Sequence, residues 1–288
     1  MKLTENGAKN TELTGSGKTM GENRNKDNTP LVSIVMPAYN MERYIEEAIR
    51  SVMNQTYPCW EMIVVDDGSS DATREIVESL AKEDSRIQLF CNGENRGAAV
   101  SRNRAFGMCK GSYVALLDSD DLWHPEKLER QVNLAQETGA DIVYCSYGII
   151  DEHGNKACED FIVPEFTTFE SFLTRSVISC STALLSNRIT QKCRFETDFY
   201  HEDLVFWFRL LKEGYSARGL QTVLAQYRVM AGTKASNKVK SAMFRWHIYR
   251  EYLGMSAVKS AKLLLRYAVL GFQKYKKYPE DGYEKDGD

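Results

Sequence analysis

Apolar positions come in two rhythms that alternate from residue 31 to residue 147. Residues 31–36 form an apolar run closed by Pro37 and read as a strand. Residues 42–53 place Ile45, Ala48, Ile49, Val52 and Met53 on one helical face. Residues 61–65 read as a second strand, ending in Asp66-Asp67-Gly68-Ser69-Ser70-Asp71. A helix over 72–81 follows, with Asp71 or Ser70 as its N-cap. Residues 87–91 give a third strand, 95–97 a turn and 98–108 a helix. Residues 114–117, edged by Gly111, give a fourth strand, and its end carries Asp118, Asp120 and Asp121. Pro125 starts a helix as an N1 proline that runs to 137, and 141–147 is a fifth strand. This alternation predicts β-α-β units and a largely parallel sheet. Ligands bind such sheets at the carboxyl ends of the strands. Tyr39-Asn40, Asp66-Asp67 and Asp118 to Asp121 are therefore expected on one rim.

Past residue 150 the rhythm becomes irregular. A turn is expected at 151–154, a short helix at 168–174 and strands at 180–186 and 222–229. A helix begins at Asp203 and stops at Gly214 as a C′ glycine. Residues 234–277 read as two helices broken near Gly254, with Glu251 as their one acid. In the second, Lys259, Lys262, Arg266 and Lys274 fall on one side, and Val258, Leu264, Leu265, Ala268 and Phe272 on the other. That is a basic amphipathic helix, suited either to packing on the domain or to an anionic membrane surface. The expected organisation is a disordered tail over 1–29, one domain over 30–233, a basic helical extension over 234–277 and a frayed tail over 278–288.

Composition narrows this picture. At 288 residues, 43% apolar and 27% charged, the chain is long enough for a large globular core. A net charge of -3 gives no reason to expect nucleic-acid binding. The seven cysteines include no C-x-x-C pair, which argues against a zinc site or disulfide framework and for a reducing compartment. No apolar leader opens the chain, and no apolar run is long enough for a spanning helix. Gly15-Ser16-Gly17-Lys18-Thr19 resembles half a phosphate-binding loop, but Glu12 stands where the earlier glycine belongs and no strand precedes it.

The acids after the fourth strand carry the chemistry. Carboxylates crowded at a strand end repel one another unless a cation joins them, and a hard divalent ion suits oxygen ligands. Such an ion held by Asp118, Asp120 and Asp121 would neutralise a diphosphate leaving group. The plainer alternative is that Ser119-Asp120 only caps the next helix. Glu202 and Asp203 likewise either complement a helix dipole or supply a general base. His201 reads as an exposed loop histidine or an acceptor contact, and Trp123 as packing or a sugar-stacking ring. Arg209 is expected to pair with a nearby acid.

Taken in order, these segments resemble a known family. Val32 to Asn40, Ser51 to Tyr57, Ile63 to Asp71, Asn95-Arg96-Gly97 with Ser101-Arg102-Asn103, Leu117 to Asp121, and Glu202-Asp203 followed by Phe206, Arg209 and Gly214 resemble a family-2 glycosyltransferase. The segment from Tyr227-Arg228 onward resembles bacterial members that build O-antigen, capsule and teichuronic acid. The resemblance implies an α/β GT-A fold (Rossmann-like) with a mostly parallel sheet and C-terminal helices. It also implies a nucleotide-sugar donor and inversion at the anomeric carbon. Pro37 and Tyr39 would then contact the nucleoside, Asp67 the uracil ring, and Arg102 the nucleotide. Asp118 or Asp120 would hold the ribose, and Asp120 or Asp121 would ligate Mn2+ or Mg2+. Asp203 would be the base, with Trp123 and Glu202 facing the acceptor. The acceptor would be a polyprenyl-linked saccharide, met by a cytoplasmic enzyme peripheral on the inner face of the membrane. A sugar nucleotidyltransferase is the nearest enzyme alternative, but it needs a Gly-rich loop where Pro37-Ala38-Tyr39-Asn40 stands. The non-enzyme alternative is a membrane-bound nucleotide-sugar-binding module.

Overall fold

The computed structural model describes residues 29–199, 201–230 and 238–275. Of the expected tails over 1–29 and 278–288, all but Thr29 lies outside the described residues, as does the half phosphate-binding loop. Chain order begins β1 (Val32–Ala38), α1 (Ile45–Met53), β2 (Trp60–Asp66), α2 (Thr73–Glu83), β3 (Ile87–Cys91) and α3 (Ala98–Phe106). It continues with β4 (Tyr113–Leu116), β5 (Leu122–Trp123), α4 (Lys127–Thr138), β6 (Ile142–Ile150), β7 (Lys156–Phe161), β8 (Phe166–Thr167) and α5 (Phe169–Phe172). After a 3-10 turn at Cys180–Thr182 come β9 (Ala183–Ser186), α6 (Asn187–Lys192), α7 (Glu202–Lys212) and β10 (Ala217–Arg228). A C-terminal unit of α8 (Lys238–His247), a π-helical turn (Ile248–Tyr252) and α9 (Ala257–Tyr275) closes the described chain.

One sheet runs in the order β3-β2-β1-β4-β9-β6-β10-β5, with β7 beside β6 and β8 beside β10. Its long ladders, β1 with β2, β2 with β3 and β6 with β10, are parallel. Every residue of β1 and β2 is buried, because helices cover both faces of these central strands. Alternation along β1 sends Val35 to one core, with α3 and α7, and Ile34 and Met36 to the other, with α1 and α4. Gly111 lets the entry to β4 lie against β1: a Cβ there would come within 2.5 Å of the Leu31 carbonyl.

Four sequence expectations are corrected. Pro37 does not close β1, which continues to Ala38; the β4 ladder ends at Val35, so no β4 residue stands opposite the proline. Pro125 lies just ahead of α4, whose first residue is Lys127. The strand expected over 180–186 is a 3-10 turn followed by β9, which inserts antiparallel between β4 and β6. The last strand starts at Ala217 rather than 222, because register shifts after Leu220 and Val223 break its alternation. Gly214 follows the end of α7 as expected.

The C-terminal unit packs on the α7 side of the sheet. Ile248, Tyr249 and Met255 join that core. Buried Arg245 donates to the Leu173 carbonyl at 3.0 Å and to the Ser176 hydroxyl.

Candidate active site

The parallel strands deliver three loops to one rim. At the end of β2, buried Asp66 accepts from Arg74 Nη2 at 3.0 Å. Its neighbour Asp67 organises the next loop. Asp67 Oδ1 accepts from Asn92 Nδ2 at 2.6 Å, and Oδ2 accepts from the backbone N–H groups of Arg96 and Gly97 at 3.0 and 2.6 Å. Gly97 takes φ 91°, a conformation that strains any residue with a Cβ, so the loop needs glycine there. The loop after β1 is tied to the loop after β2 through Asn40. Its N–H donates to Ser69 Oγ at 3.0 Å, and its Oδ1 accepts from Ser70 N at 2.9 Å. Beside it Tyr39 stands 42% exposed on the rim, and Pro37 lies in β1 opposite Val65.

The acid turn after β4 is held from two sides. Arg102, buried in α3, donates to Asp118 Oδ1 at 2.6 Å and to Glu202 Oε1 at 3.2 Å. One guanidinium thus joins the acid turn to the start of α7, although Glu202 lies 100 positions along the chain from Arg102. On the other side, Ser181 Oγ accepts from Asp118 N at 3.0 Å and donates to Asp121 Oδ2 at 2.5 Å. Asp121 Oδ1 accepts from the Arg228 N–H at 2.8 Å. The Arg228 side chain then reaches the Asp120 carbonyl at 2.8 Å, the Asp151 carbonyl at 3.2 Å and Glu47 Oε2 at 2.8 Å.

These bonds sort the three acids. Asp118 is engaged by Arg102, and Asp121, 1% exposed, has a protein donor on each oxygen. Asp120 is half-buried, and beyond its own backbone N–H no donor reaches its carboxylate among the described residues. Burial, followed by the Asp118 charge, pushes the Asp120 carboxyl up to about 6 against the pull of Arg228 and Arg102. Burial with Asp120 and Asp118 raises Asp121 well above the usual carboxylate range. Among the described residues no three His, Cys, Asp or Glu side chains converge as a complete metal site. The residues still fit a divalent cation of the kind that takes one or two carboxylates and completes its shell with substrate phosphates.

Asp203 lies one residue into α7, half-buried. Val205, Phe206, Trp207 and Phe208 lock this helix into the core, and Phe195 stacks on Phe206 with ring centroids 4.1 Å apart. Asn103 fixes Phe195 through two 2.8 Å bonds to its backbone. The buried Cys180 thiol is pushed up by burial, and by Asp118, Asp203 and Glu202 around it. The acid turn and the first turn of α7 therefore meet at one place. Arg102 takes Asp118 and Glu202 and leaves Asp203 outside that pairing.

Trp123 is turned into the core and not presented on the rim. It is 4% exposed, its indole N–H donates to the Ser181 carbonyl at 2.7 Å, and Lys127 Nζ sits 3.8 Å from the ring centre. The strand that carries it pairs with β10 and turns the ring into the core. Glu202, expected at the acceptor, is the partner of Arg102. The His201 ring meets Phe244 edge-on at 5.5 Å. Arg209 pairs with Glu213 and Glu196, as expected. Sequence reasoning missed the roles of Ser181 and Arg228. The only trace of Ser181 is a run of small polar residues before a strand, and Arg228 follows Tyr227 with no pattern that points to the acid turn.

The family model for glycosyl transferase family 2 matches residues 33–188. The chain is 37% identical over 239 residues to TuaG of Bacillus subtilis (strain 168), a protein named for teichuronic acid biosynthesis, covering 83% of this chain and 95% of that one. It is 36% identical over 247 residues to WfgD of Escherichia coli, named as a UDP-Glc:alpha-D-GlcNAc-diphosphoundecaprenol beta-1,3-glucosyltransferase, covering 85% and 95%. The fold is similar to Staphylococcus aureus TarS residues 1-349 in complex with UDP-GlcNAc, with TM-score 0.67 and 21% identity over 84% of this chain and 72% of that one.

Proposed function

The chain belongs to glycosyltransferase family 2 and has its GT-A fold, and from that premise we propose an inverting, metal-dependent enzyme that moves a sugar from a UDP-sugar to a lipid-linked saccharide during surface-polysaccharide assembly. The observation that carries the reading is the link from Asp118 through Arg102 to Glu202, which sets the donor-side acids against the helix bearing Asp203. The name of the WfgD relative, with UDP-Glc and a diphosphoundecaprenol acceptor, supports the substrate classes.

In this reading Pro37 and exposed Tyr39 line the nucleoside end. Asp67 holds the Arg96-Gly97 loop and keeps lone-pair capacity on Oδ1 for the uracil N–H. Asp118, oriented by Arg102, meets the ribose. Mn2+ or Mg2+ would sit on Asp120 and neutralise the diphosphate as it leaves. Asp121, with both oxygens committed, shapes the turn instead of serving as the main ligand. Asp203 takes the proton from the acceptor hydroxyl as that oxygen attacks the anomeric carbon opposite the departing nucleotide. A lipid-linked acceptor puts the enzyme on the cytoplasmic face of the membrane, attached peripherally through its C-terminal helices. No described helix is long and apolar enough to cross a membrane.

The test is a screen of UDP- and dTDP-sugars with Mn2+, Mg2+ or chelator, read by nucleotide release and by transfer to undecaprenyl-diphosphate-linked GlcNAc. Metal-dependent release and transfer from a UDP-sugar are expected. Activity undiminished by chelator, or none with any nucleotide sugar, would overturn the proposal.

A further inference from the structure

Helix α9 buries one side and leaves an ordered pattern on the other. Ser260 is fully buried, Leu263 packs on the core, and Tyr267 lies under the Arg245 guanidinium at 4.0 Å. At about 100° per residue, Leu265 and Val269 fall within about 20° of Val258, on the opposite side. Val258, Leu265 and Val269 are 67%, 68% and 50% exposed, and they form a ridge about 16 Å long at 1.5 Å per residue. A single exposed valine needs no explanation, whereas an aligned ridge does. Lys262, Arg266 and Lys259, all exposed, lie about 40°, 80° and 100° round from Val258, on one flank of the ridge. Helix α9 carries no acid. Met243 and Trp246 of α8 add two further exposed apolar side chains to the same unit.

This placement differs from the one expected from sequence. Leu264, grouped there with Val258 and Leu265, is half-buried, while Val258 and Leu265 point outward beside the cations. The helix has two apolar sides, and the described residues cover only one.

We propose that the outward face of α9, with Met243 and Trp246, docks the protein on an anionic lipid bilayer. The ridge would enter the boundary between headgroups and acyl chains, and Lys259, Lys262 and Arg266 would meet lipid phosphates. Tryptophan suits that boundary because it is apolar with one polar N–H. The inner side of the unit grips the segment entering α7: Phe199 packs on His247 and Tyr252 at 6.0 and 5.5 Å, and His201 on Phe244 at 5.5 Å. Docking therefore fixes the height of Asp203 above the membrane, which rests on the lipid-linked acceptor proposed above.

The test uses the full chain and sedimentation with phosphatidylcholine vesicles, with or without about one-third phosphatidylglycerol. One variant combines Val258→Ser, Leu265→Ser and Val269→Ser; another combines Lys259→Glu, Lys262→Glu and Arg266→Glu. All six side chains are exposed, so both variants should unfold at the parent's urea midpoint. The parent should bind anionic vesicles at least tenfold more tightly than neutral ones. Each variant should lose at least tenfold on anionic vesicles while keeping the parent's rate of UDP-sugar hydrolysis. Equal binding of the parent to both vesicle types, binding of either variant within twofold of the parent, or no vesicle binding at all overturns the docking surface. Absence of UDP-sugar hydrolysis in all three proteins, with the vesicle pattern intact, defeats the proposed function and leaves the docking surface standing.

Discussion

Replacing Asp120 by asparagine should stabilise the metal-free protein while disabling the enzyme. The carboxyl is pushed from the usual 3.8 to about 6, first by burial and then by Asp118. At about 1.4 kcal/mol per pKa unit, that shift stands for about 3 kcal/mol. The sign follows from proton binding. Between pH 4 and 6 the folded protein holds a proton that the unfolded chain has released, so stability falls as pH rises through that window. Below it the cost is absent, and above it the cost is complete. The neutral amide carries no such cost, and removing the charge also relieves Asp121, which Asp120 helps to raise. Urea unfolding in chelator should show the parent losing about 3 kcal/mol from pH 4 to pH 7 relative to Asp120→Asn. Saturating Mn2+ should restore the parent at pH 7, because an ion that binds only the folded state stabilises it. The variant should not respond. Parallel pH profiles for the two proteins would show that Asp120 carries no burial cost, and equal stabilisation of both by Mn2+ would show that it does not hold the metal.

Further predictions concern the supports of the site. Arg228→Met should cost about 1–3 kcal/mol, since it strips the Asp120 and Asp151 carbonyls of a donor and removes a cation that favours the Asp120 carboxylate, while the backbone N–H bond to Asp121 survives. Arg228→Lys should recover only part of this in urea unfolding, because one ammonium cannot span three acceptors. Trp123→Phe should cost about 1–2 kcal/mol through the lost bond to Ser181, with the acceptor KM unchanged; a raised acceptor KM would return Trp123 to the acceptor site. Lys127 is fully buried, and burial lowers its amine to about 8. From pH 8 to 10.5 the unfolded chain binds a proton that the folded protein lacks, so stability should rise with pH relative to Lys127→Met; a flat difference in urea midpoint would contradict this.

How much was legible depended on whether a residue's role was local. The strands β1, β2 and β4 announced themselves because both faces are covered and their apolar runs are nearly continuous, and the acids at their ends followed from the topology. The insertion of β9 between β4 and β6 is a long-range pairing of a four-residue strand, which no period reveals. The start of β10 was hidden by its register shifts. Within the site, the crowding of Asp118, Asp120 and Asp121 was visible, but the division among them was not. That division is made by Ser181 and Arg228, 60 and 107 residues beyond Asp121. Trp123 was misleading for the same reason: its place next to the acids in sequence says nothing about the side on which β5 turns its ring.

The proposed transfer rests on Asp203 as its base, facing a donor side built around Asp118 and Asp120. The most direct measurement compares Asp203→Asn with the parent for transfer from a UDP-sugar to a lipid-linked acceptor, with UDP affinity measured by calorimetry on both. Loss of a general base should lower transfer by about 10²–10⁴-fold, with UDP affinity unchanged. Transfer within tenfold of the parent, with UDP still bound, would rule out Asp203 as the base.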